Sequence, residues 1–102
     1  MVDEDELVKN AGDRAASLDD RFRSIQSLGE SDSDVARKAL IDLSSSSGEA
    51  TSIAEAAGVA LANQYFRRGD LVDAPLHEFT TEAGEAFDQE AGRLLRGVRP
   101  SE

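Results

Sequence analysis

The 102-residue chain contains no cysteine and no tryptophan, only one tyrosine, one histidine and one methionine, and two prolines. Without cysteine there are no disulfides, no thiolate nucleophiles and no thiolate metal sites. Lysine is also scarce, with Lys9 and Lys38 alone among the basic residues, and 21 acidic residues outnumber 11 basic ones to leave a net charge of −10. Such a chain repels polyanions. Nucleic-acid binding requires clustered Lys and Arg, and the tightest basic pair is Arg67–Arg68, so direct DNA or RNA binding is not expected. A salt-rich cytoplasm or a genome favouring Ala, Asp, Gly and Arg codons also yields acidic chains, whatever they bind.

Long apolar runs are missing too. None approaches the ~20 residues of a membrane span. The start, Met1-Val2-Asp3-Glu4-Asp5-Glu6, is the reverse of a basic and then apolar secretory signal, so cytoplasmic residence is expected. Leu, Ile, Val and Phe total 23 residues, which is enough for one thin core, and the length suits a single domain over 1–102, with residues 1–4 and 98–102 expected to fray.

Motifs for chemistry are likewise wanting. His77 has only Glu78, Thr80 and Thr81 nearby, a poor set for proton transfer, so no catalytic residue is assigned. Read as a calcium loop from Asp32, the glycine position holds Arg37 and the final glutamate position holds Leu43, so no metal site is expected. No phosphate-binding glycine motif occurs, and no cofactor is expected.

What is present is helical periodicity. Apolar residues recur at three and four positions, with Ala, Glu, Arg and Leu between them, which makes the chain all-α. Leu7, Val8, Ala11, Ala15, Leu18, Phe22 and Ile25 share one stripe, compatible with a single helix over 3–28. Gly12 and the Ser17-to-Asp20 capping signal favour a break near Ala16, with a second helix from Leu18. The stretch Gly29 to Asp34 reads as a turn, followed by a helix with Val35, Ala36, Ala39, Leu40 and Leu43 on one face.

Ser46-Ser47-Gly48-Glu49 has the spacing of a capping box, predicting a helix from there to about Phe66. Its apolar residues surround the cylinder, as in a helix enclosed by others. Arg67-Arg68-Gly69-Asp70 closes it through a left-handed glycine. An apolar connector, Leu71 to Phe79, carries one short turn at Pro75, and Thr80 or Thr81 caps a last helix with Ala83, Phe87, Ala91, Leu94 and Leu95 on one side. Four or five helices in antiparallel succession, as a compact bundle or a short stack of hairpins, satisfy this pattern.

From Asp32 to Leu95 the order D-V-A-R-K-A-L-I-D-L, I-A-E-A-A-G-V-A-L-A, a glycine-aspartate turn and a last amphipathic helix resembles the helical-hairpin layout of HEAT-like modules. Small acidic proteins of that build occur among bacterial immunity proteins, which neutralise toxin domains. The resemblance implies a stacked fold and a partner-blocking role, and assigns no residues. From charge alone, the expected partner is a basic protein such as a nuclease-like toxin, met by acidic positions near helix ends and the connector: Asp32, Asp34, Asp70, Asp73, Glu78 and Glu82. The competing expectation is a helical adaptor that pairs with itself or with another helical protein; the oligomeric state stays open.

Overall fold

The computed structural model describes residues 3–97, and every regular element in it is helical: α1 (Glu4–Gly12), α2 (Leu18–Glu30), α3 (Asp34–Ser45), α4 (Thr51–Arg68) and α5 (Thr81–Gly97), with 3-10 turns at Leu71–Asp73 and Leu76–Glu78. None of the described helices is long and apolar enough to cross a membrane.

The N-terminal stripe is divided between two helices. Ser17 Oγ accepts from Asp20 N and starts α2, while α1 ends at Gly12. The break leaves Ala15 exposed and Leu18 half exposed, so neither joins the stripe that periodicity assigned them. Asp3 and Glu4 do not fray. Asp3 caps α1, and the Glu4 carboxylate accepts from Ser33 Oγ at 2.6 Å and Ser31 Oγ at 2.7 Å. The remainder of the expected fraying, at residues 1–2 and 98–102, lies outside the described residues.

The predicted capping box does not form. Ser46 ends α3, and α4 starts later, at Thr51, after Ala50, which makes no side-chain cap. Glu49 is instead drawn to Arg21, 2.8 Å away. The other end of α4 is as predicted: Gly69 adopts φ 73°, and its N–H reaches back to the last carbonyls of the helix. Thr80 caps α5, its Oγ1 accepting from Ala83 N.

Helices two apart in sequence run side by side in the same direction, as inter-helix ties show. Glu4, at the start of α1, binds Ser33 at the start of α3, and Arg14, just after α1, reaches Ser46 just after α3. Arg21, early in α2, meets Glu49 ahead of α4, whereas Ser31, just past α2, accepts from Gln64 late in α4. These partners are 29, 32 and 33 residues apart where they hydrogen bond. α5 departs from the expected antiparallel succession: Ala83 packs on Gly58 of α4 and Glu90 accepts from Asn63 further along both helices, so these consecutive helices run in the same direction, the connector making the return.

Thus α2, α4 and α5 form one layer. The connector runs alongside α3, since Asp70 is tied to Arg37 near the start of that helix and Thr80 N–H donates to Ser44 O near its end.

The core is one cluster, with Ile25, Leu28, Leu40, Ile53 and Leu61 fully buried. Small residues set the helix spacing. A Cβ on Gly29 would stand 2.8 Å from Ala60 Cβ, and one on Gly58 would strike the Ala83 carbonyl. α4 is not enclosed on all sides, because Glu55 and Val59 emerge between α2 and α5. Val35 and Leu95 are likewise at least half exposed, although periodicity put them on the buried faces of α3 and α5.

Candidate protein-binding surface

The six acidic residues singled out by charge fall into two groups. Asp32 lies 3.2 Å from Arg67, Asp34 3.8 Å from Arg68, and Asp70 Oδ2 3.3 Å from Arg37. Arginines from α3 and the end of α4 therefore already balance these three. Asp32 and Asp34 are exposed, and such pairs contribute little to stability. Asp70 is more committed: its arginine is 15% exposed, stacks 3.7 Å above the Tyr65 ring, and donates through Nε to Gln64 Oε1. Gln64 is completely buried and also donates to Ser31 O, so this network joins α3, α4 and the connector.

Asp73, Glu78 and Glu82 form the second group, all exposed on the connector and the first turn of α5. Among the described residues no arginine or lysine pairs with them; Glu78 has only its neighbour His77, at 3.6 Å. Within this segment Val72 is 95% exposed and Leu76 39%. Exposed apolar side chains in one segment with unpaired carboxylates have the composition of a protein contact. His77 itself is 82% exposed, and no other carboxylate is close enough to it to build an acid–base pair. Among the described residues no group of three or more metal-ligating side chains comes together.

No family model, curated protein or solved structure matches this chain.

The layer of α2, α4 and α5 presents a second surface, which sequence reasoning missed. Phe22, Gln26 and Glu30 of α2 and Ala56, Val59 and Asn63 of α4 border a groove of about 520 Å³. On the other side of Val59 a second groove, of about 600 Å³, lies toward α5 and is lined by Glu55, Gln89, Arg93 and Arg96. Two of its charges are paired with each other: Arg93 donates twice to Glu90, holding that carboxyl below its ordinary pKa, and Asn63 adds a third hydrogen bond. The groove against α2 has an apolar floor and a single carboxylate, Glu30. The one available sequence signal was the i, i+4 spacing of Phe22, Gln26 and Glu30, which describes a helix face without saying what lies beside it.

Proposed function

We propose that the chain is a non-enzymatic, acidic binding protein that docks on a basic protein domain and blocks it, as an immunity protein neutralises a nuclease-like toxin. The observation that carries this is the connector and the first turn of α5, where Asp73, Glu78 and Glu82 are exposed with no arginine or lysine partner among the described residues, and where Val72 is exposed in the same segment. Opposite charge speeds encounter and selects a cationic partner; an exposed apolar side chain adds contact area. Asp32, Asp34 and Asp70 contribute to the field more than to direct contact, since arginines already face them. The same-direction ties between α1 and α3 and between α2 and α4 support a short HEAT-like stack of hairpins over a simple bundle. A rigid stack of this kind suits a blocker, because little ordering is lost on docking.

The test is a pull-down from the native host at low and high salt, together with the product of the adjacent gene, followed by affinity measurement with Asp73→Lys and Glu78→Lys. A basic partner whose binding falls by about tenfold or more on charge reversal, and whose association slows with salt, is the expected result. Unchanged affinity overturns the reading. The helical-adaptor reading is favoured by one observation, the open apolar groove beside Val59, and predicts a partner indifferent to salt.

A further inference from the structure

The groove between α2 and α4 owes its shape to residue size. At one end Gly29 lets α2 approach Ala60 of α4 closely, and along the trough α4 offers only Ala56 and Ala60 between the larger Phe22 and Val59. The floor is apolar, and Val59 on its edge is 38% exposed. A trough between two parallel helices, of about 520 Å³, accommodates a row of aliphatic side chains at helical spacing.

Charge limits what can fill it. Glu30 lines the groove at the last position of α2, a helix with no basic residue in its last turn. Helix C-termini carry partial negative charge, so carboxylate and helix dipole add rather than cancel there. Among the described residues no cation stands within ion-pair distance of Glu30; Arg67, which donates to Gly29 O, pairs with Asp32. A second copy of the chain, with net charge −10, would bring the same sign of charge to this spot. An anionic lipid surface would be repelled in the same way.

We infer that the groove between α2 and α4 seats an apolar-faced, positively charged helix of the partner protein, with its aliphatic side chains over Ala56 and Ala60 and a lysine or arginine at Glu30. The inference rests on the proposed basic partner for the sign of charge, but it concerns a different surface from the connector.

The probe is a synthetic amphipathic helix with leucine on one face and lysine on the other, fluorescently labelled and titrated into the intact protein. Gln26→Trp fills the trough from an exposed position on its rim, and Glu30→Lys reverses its only charge. Each is expected to weaken binding by about tenfold. Asp42→Lys, on the exposed side of α3, is expected to change it by less than about twofold. Equal loss with Asp42→Lys would show general charge attraction and overturn the inference. So would equally tight binding of an uncharged leucine helix or a small apolar dye, or self-association that Gln26→Trp abolishes. Loss of a host partner's binding through Asp73→Lys with no effect of Gln26→Trp would leave the connector reading standing and remove this one.

Discussion

Arg21 of α2 and Glu49, in the turn ahead of α4, meet at 2.8 Å with each side chain only 4% exposed. The contact is an ion pair rather than an aligned hydrogen bond for that guanidinium nitrogen, while Arg21 Nε donates to Ala11 O at 3.0 Å. One arginine thus joins α1, α2 and the start of α4. Removing one partner strands a buried charge, so Glu49→Ala is expected to cost about 3 kcal/mol in urea unfolding. The double change Arg21→Met with Glu49→Leu should recover most of that loss, because the desolvation of both charges disappears with the pair. A small effect of Glu49→Ala would mean that water replaces the lost partner.

Gly58 faces the backbone of Ala83, and no side chain can yield there. Gly58→Ala should therefore push α5 away from α4 and cost about 1–3 kcal/mol. Gly84, one helical position after Ala83, has open space where a methyl group would stand, so Gly84→Ala should stabilise by about 0.5–1 kcal/mol through helix propensity. Thermal melts of the two variants should move in opposite directions.

Stability should fall on the acid side through Glu4 and Glu90. The Ser33 and Ser31 hydroxyls hold Glu4 below its ordinary value of 4.5, and Arg93, with Asn63, does the same for Glu90. A carboxyl lowered in the folded state favours folding above its unfolded pKa and loses that contribution as pH drops through the folded value. Glu4→Gln and Glu90→Gln should flatten the decline of melting temperature below pH 4.5. Tyr65 works at the other end, raised above 10.0 mainly by burial against the opposing charge of Arg37. Its contribution is complete below pH 10.0 and is lost as pH rises through the folded value, so Tyr65→Phe should flatten the alkaline limb.

Asp70 and Asp73 separate a structural carboxylate from a docking one. Asp70→Asn weakens the tie to Arg37 and should cost about 1 kcal/mol in stability. Asp73 is exposed and has no cationic partner among the described residues, so Asp73→Asn should leave stability within about 0.5 kcal/mol. An equal loss of stability for both would place Asp73 in the fold's own framework.

Glu49 shows why local patterns misled at one turn. The S-x-x-E spacing over Ser46 to Glu49 is a valid capping signal, but it competes with a buried guanidinium from 28 positions earlier, and the stronger charge pairing won. Ala15 and Leu18 fit the N-terminal stripe only if the helix is continuous, and Ser17 breaks it by capping α2. The acidic residues were legible as charge; nothing in their spacing revealed that Arg67, Arg68 and Arg37 would fold back onto Asp32, Asp34 and Asp70. Gln64 gave no signal at all, because a lone amide in an alanine-rich helix reads as surface until its partners Arg37 and Ser31 are known.

Helical class, the positions of α3 to α5 to within a few residues, the left-handed exit at Gly69 and the acidic character all follow from the sequence by itself, since propensity, apolar period and capping act over a few neighbouring residues. Tertiary structure alone decided that α2, α4 and α5 lie side by side, that Gly29 and Gly58 set their spacing, which carboxylates are spent on arginines, and that a groove opens beside Val59. These depend on contacts between residues about thirty positions apart, whose cost in chain entropy is met only when the whole core closes together.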